Sequence, residues 1–112
     1  MINQVVLVGR IVSTPELKET EEQKKYAEIT IAVPRCYKNI NGEYETDFVP
    51  IMLWDGIAES VSDYCRTGDL ISVHARIESL SPNELKIVAT KVSFLATKDT
   101  VDKLKGKETE EE

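Results

Sequence analysis

Cysteine is scarce in this chain: two among 112 residues. Cys36 and Cys65 stand too far apart for a disulfide framework or a paired-thiolate zinc site, so both read as free thiols. His74 is the single histidine, and no spaced carboxylate loop of the calcium-binding type occurs, so neither a metal nor a cofactor is expected. Five glycines and four prolines exclude collagen-like and proline-rich chains, and a hydrophobic content of 41% excludes a wholly disordered one. Apolar runs are short, as at Val5 to Val8, far below the roughly 20 residues a membrane-spanning helix needs. The opening Met1-Ile2-Asn3-Gln4 lacks the basic start and long apolar stretch of a secretory signal, so a cytoplasmic address is the expectation. There is no phosphate-cradling glycine loop, no nucleophile elbow and no histidine placed beside a thiol or hydroxyl in a motif. The expectation is a protein that is not an enzyme and takes no small-molecule substrate.

What is present is one small domain's worth of chain, without a repeat of 20 to 50 residues. Residues 4 to 12 are apolar and β-branched on both alternating sets, which suits a strand buried on both faces or one that also meets a partner. Thr14-Pro15 ends it, and the charged stretch Glu16 to Lys25 has no apolar period and reads as loop. From Tyr26 to Val33, Ala27, Ile29, Ile31 and Val33 alternate against Glu28, Thr30 and Ala32, predicting a second strand. The basic and aromatic run Arg35-Cys36-Tyr37-Lys38 leads to Asn41-Gly42, a dipeptide suited to a tight hairpin turn.

A third strand is predicted from Thr46 to Trp54, with Val49, Ile51 and Leu53 inward and Phe48, Pro50, Met52 and Trp54 as an apolar stripe on the outer face. Pro50 donates no ladder hydrogen bond and must fall at an edge or bulge. Ile57, Val61, Tyr64 and Cys65 share one helical face, with Asp55 as N-cap and Gly68 as stop. Ile71, Val73, Ala75 and Ile77 mark a fourth strand, and Leu85 to Leu95 a fifth after the turn Ser81-Pro82-Asn83. From Thr97 the chain turns charged. Asp99, Asp102, Glu108 and Glu110 to Glu112 stand against Lys98, Lys103, Lys105 and Lys107, so residues 1–96 read as the domain and 97–112 as a flexible acidic tail.

This order of elements predicts an all-β fold: a five-stranded Greek-key barrel of the oligonucleotide/oligosaccharide-binding (OB) type, with one helix between strands 3 and 4. Such barrels bind single strands by combining cationic tracks with aromatic faces on which bases stack. Tyr37, Phe48 and Trp54 offer the aromatic faces, and Arg10, Arg35, Lys38, Arg76, Lys86 and Lys91 can reach phosphates. A net charge of −6 speaks against a nucleic-acid binder, but much of the acid lies in Glu16 to Glu28 and around the helix, which leaves room for a local basic track.

The stretches Met1 to Arg10, Thr14-Pro15-Glu16-Leu17, Thr46 to Trp54 followed by Ile57-Ala58-Glu59, and Leu70 to Ile77 resemble, in order and spacing, the bacterial and phage single-stranded DNA-binding protein family. The resemblance spans Met1 to about Leu95. It implies base stacking at Tyr37, Phe48 and Trp54, backbone contacts at Arg10, Arg35 and Lys38, and a homotetramer built from one-barrel chains. Two departures stand out. The family's hairpin between strands 4 and 5 is usually a long basic wing, whereas Glu78 to Glu84 is short and acidic, and the family's Pro-Phe tip is absent after Glu110-Glu111-Glu112.

Two functions therefore compete: a sequence-tolerant binder that protects single-stranded DNA in replication, recombination, repair or DNA transfer, and an oligomerising OB-fold interaction module with weak DNA affinity. Stacking and phosphate contacts read no sugar hydroxyl, so RNA stays open as a ligand beside DNA. Each candidate also has a structural reading: Phe48 and Trp54 as core or interface, Tyr37 as a loop anchor, and Lys86 and Lys91 as solvated charges.

Overall fold

The computed structural model of the chain describes residues 1–103. Six strands and a helix follow one another: β1 (Val5–Ile11), β2 (Lys18–Glu19), β3 (Lys25–Lys38), β4 (Tyr44–Trp54), α1 (Asp55–Tyr64), β5 (Leu70–Ser81) and β6 (Glu84–Ala96). The sheet runs β1-β5-β6-β4-β3-β2, and a further pairing of β1 with β3 closes its five long strands into a barrel. The helix thus follows the fourth strand and not the third. Lys18–Glu19, expected as loop, pairs with Lys25 and Tyr26 as a two-residue strand and shifts the count. Backbone pairing alone makes that strand, so no apolar period announces it.

The alternating aliphatic sets point inward except at Ile77, expected to face in with Ile71, Val73 and Ala75 but 40% exposed, because β5 runs on past the core from Arg76. Ile29, Ile31, Ile51, Leu53, Ile71 and Val73 are almost wholly buried, and each such side chain contributes roughly 1.5–3 kcal/mol by leaving water. Closure depends on Gly9. A Cβ there would lie 2.5 Å from the Ala32 carbonyl oxygen, so a residue without a side chain lets β1 and β3 approach. Pro50 fits because β4 meets β6 only at Met52–Val88, which leaves its second edge open at the proline.

Two strands outrun their sequence signal. β3 continues to Lys38 and β4 begins at Tyr44, forming an arm beyond the barrel with a register shift between Pro34 and Lys38. At its tip the Asn39 side-chain oxygen accepts hydrogen bonds from the backbone N–H groups of Asn41 and Glu43, at 2.9 and 3.0 Å. Gly42 takes the positive φ of 76°.

The helix also departs from its expected frame. Trp54 is its N-cap residue and makes no side-chain cap bond, while Asp55 is the first helical residue with φ 50°. Ala58, Val61 and Cys65 are buried, but Tyr64 is 78% exposed, because α1 turns Ala58 and not Tyr64 toward the core. Burial pushes the Cys65 thiol pKa up, and Cys36 is exposed on the arm; both are free.

Of the segment read as a tail, residues 104–112 lie outside the described residues. Residues 98–103 are helical, Val101 is buried, and the Asp69 carboxylate accepts from the Lys98 backbone N–H at 3.2 Å. This stretch packs across the end of the barrel.

Candidate nucleic-acid interface

The cross-strand register of β3 and β4 determines which side chains share the outer face. Tyr26 pairs with Trp54, Glu28 with Met52, Thr30 with Pro50, Ala32 with Phe48 and Lys38 with Tyr44. Because side chains alternate along a strand, Phe48 and Trp54 stand on one face, separated by six residues or about 20 Å. Phe48 is 63% exposed. Trp54 is half-buried, its ring centroid 5.6 Å from that of Tyr26 at an interplanar angle of 41°, so one aromatic neighbour fixes the indole and leaves part of it open. Met52, between them, is buried and interrupts the exposed stripe.

Arg10 reaches the same face. It pairs with Ala32, which pairs with Phe48, so the three lie in one row across β1, β3 and β4. Its guanidinium donates to Asp102 Oδ1 at 3.1 Å and to the Gly68 carbonyl at 3.1 Å. Arg35 is held more firmly. Its Nε and Nη2 donate to both oxygens of Asp47 at 2.9–3.2 Å, and Nη1 donates to Glu45 at 2.6 Å. The hydrogen bonds from Arg35 hold the Asp47 carboxyl below the usual carboxylate range, and Asp47 in turn raises the guanidinium pKa further. An arginine expected to face phosphate is therefore engaged within its own hairpin.

The lysines divide. Lys38 sits 5.7 Å from the centre of the Tyr44 ring, a cation–π distance, and Tyr37 nearby is 61% exposed. Lys86 lines a groove with Tyr26, Glu28 and Met52, and Lys91 lines another with Trp54 and Ile57. Neither lysine makes an ion pair among the described residues. Arg76 falls apart from this group: it lies 3.7 Å from Glu78 and lines a depression with Met1, Asn3 and His74.

Two aromatics of this face, Tyr26 and Tyr44, were not among the sequence candidates. Tyr44 shares the even-numbered spacing of Phe48 and Trp54 and becomes visible once β4 is extended two residues upstream. Tyr26 opens the second predicted strand, but only the register shows it against Trp54.

The model of the single-strand binding protein family matches residues 2–102. The chain is 43% identical over 81 residues to single-stranded DNA-binding protein B of Bacillus subtilis, covering 72% of each protein. It is 42% identical over 79 residues to the single-stranded DNA-binding protein of Streptococcus mutans, covering 70% of this chain and 48% of that one. The chain thus spans about half the length of the latter relative. Among solved structures, a deletion mutant of the single-stranded DNA binding protein from Thermus aquaticus superposes with a TM-score of 0.68 at 20% identity, over 84% of this chain and 50% of that one. The SSB domain of a Synechococcus protein gives 0.66 at 19%, over 82% and 94%. These structures share the fold.

Proposed function

The chain belongs to the single-strand binding protein family, and from that premise we propose that it binds single-stranded DNA without requiring a fixed sequence. Bases stack on Phe48, Trp54 and Tyr37, and Lys38, Lys86 and Lys91 take phosphates along the edges of the face. The observation that carries this reading is the shared outer face of Phe48 and Trp54, one ring open to solvent and the other partly open and braced by Tyr26. Arg10 and Arg35 act second, through the carboxylates they already hold. Their part is to stiffen the arm and the barrel end, or to exchange a carboxylate for a phosphate when DNA arrives. The protein works as a binder and not as a catalyst.

Assembly into a homotetramer is part of the proposal. Its support is the outer face of β1, where Val6 is 54% and Val8 48% exposed, an apolar pair that a lone barrel leaves in water.

Titrating the full chain with mixed-sequence single-stranded DNA while following Trp54 fluorescence tests the reading. Saturable quenching that weakens steeply with salt is expected, because each neutralised phosphate releases counterions. Absence of quenching at low salt, together with no mobility shift of the DNA, overturns it and favours the oligomerising interaction module.

A further inference from the structure

Along the paired segment of β3 and β4 from Tyr26–Trp54 to Ala32–Phe48, the face that carries Phe48 and Trp54 contains one carboxylate. Glu28 stands opposite Met52, between the Tyr26–Trp54 and Thr30–Pro50 pairs. It is exposed and, among the described residues, has neither an ion pair nor a side-chain hydrogen bond. It also borders a largely apolar groove of about 560 Å³ between β4 and the β5–β6 hairpin, walled by Pro50, Met52, Leu80, Leu85 and Ile87, with Glu84 as a second carboxylate at the hairpin turn. That volume lies within the roughly 300–1,000 Å³ usual for small-ligand sites. Lys86 lines this groove together with Glu28, and both also line the adjoining one, with Glu16 and Lys18.

A free carboxylate on a DNA-binding face repels phosphate, so the phosphates cannot run over Glu28. It suits a strand laid with its bases toward β3 and β4 and its backbone at the rim, where Lys86 stands. A carboxylate only accepts hydrogen bonds. Cytosine presents an exocyclic amino donor at the position where thymine presents a carbonyl acceptor.

We propose that this groove takes one nucleobase carrying an exocyclic amino group and prefers cytosine to thymine. Glu28 accepts the amino hydrogen, the aliphatic walls cover the ring, and Lys86 meets the neighbouring phosphate. The proposal rests on the single-strand reading above and adds a graded base preference to it. It also gives the short acidic hairpin a role: Leu80 and Leu85, 62% and 71% exposed, become the outer wall of a base site.

The test compares dC and dT homopolymers of equal length on the full chain and on Glu28→Gln, by Trp54 quenching at one salt concentration. The native chain should bind dC about fivefold more tightly, the scale of one ordinary net hydrogen bond, since solvent screens the charge at an open site. Glutamine both donates and accepts, so Glu28→Gln should bind the two strands within about twofold of one another. Losing a negative charge alone strengthens both equally and leaves the ratio unchanged. Equal binding or a dT preference in the native chain, or an unchanged ratio in the variant, overturns the base preference alone. Failure of both homopolymers to bind the native chain overturns the single-strand reading and this proposal with it.

Discussion

The barrel body and the β3–β4 arm are built from the same two strands by different means. In the body, Ile29, Ile31, Ile51 and Leu53 are 0–1% exposed and hold together by burial. In the arm, beyond Pro34 and Phe48, little is buried, and the strands are held by the Arg35–Asp47–Glu45 cluster and by Lys38 against Tyr44. One region is stabilised by removing surface from water, the other by pairing groups that remain in water. The second contributes little to global stability. What it supplies is order: Phe48 is carried on a ladder already formed and Tyr37 lies between two of its rungs, so less conformational freedom would be lost in the proposed stacking of bases on them.

If that division is right, substitutions should separate cleanly. The largest effect belongs to the body. Gly9→Ala drives a methyl into the Ala32 carbonyl and to 3.2 Å from Val33 Cγ2, at the seam that closes the barrel. A loss of about 3 kcal/mol is expected, a fall in Tm of more than about 10 °C by circular dichroism. A melt within about 2 °C of the native chain would mean that the seam yields. Next comes the boundary of the two regions. Phe48→Ala removes an exposed ring, so the melt should hold while single-strand affinity falls by about 1–3 kcal/mol. A matching loss of Tm would make Phe48 a packing residue and erase the distinction.

The same contrast decides what could be read in the sequence. Body strands announce themselves because alternate residues must be aliphatic, and the second, third and fourth predicted strands fall within β3, β4 and β5. The arm carries no such requirement. Its residues are polar and aromatic on both faces, so the predicted strands stop at Val33 and start at Thr46, five residues short of the end of β3 at Lys38 and two short of the start of β4 at Tyr44. Phe48 and Trp54 were legible as a stripe, whereas the burial of Met52 between them depends on the β5–β6 hairpin folding back. Charge partners were least visible. Asp102 lies 92 residues from the Arg10 it pairs with, and Asp47 meets Arg35 only once the hairpin register is known. A lone arginine in a sequence shows its charge but not whether the fold has already matched it.

That last point yields the smallest and most specific difference. In the native chain Arg35 is neutralised by two carboxylates, so it should release few counterions when DNA binds. Replacing both, Asp47→Asn with Glu45→Gln, leaves the guanidinium free for a phosphate. The plot of log affinity against log salt should then steepen by about 0.7, one phosphate contact on a single strand, with the melt almost unchanged. The pH dependence has a definite sign. Arg35, by its hydrogen bonds first and its charge second, lowers the Asp47 pKa. The pair's stabilisation is therefore complete above the unfolded aspartate value and is lost only as pH falls through the depressed folded one. From neutrality down to about pH 4, near the ordinary aspartate value, the native slope should stay the shallower of the two. A native slope that climbs to meet the variant's within that window, or a variant slope no steeper at any pH, would show that Arg35 already exchanges its carboxylates for phosphate, and the arm would then be a binding surface before it is a brace.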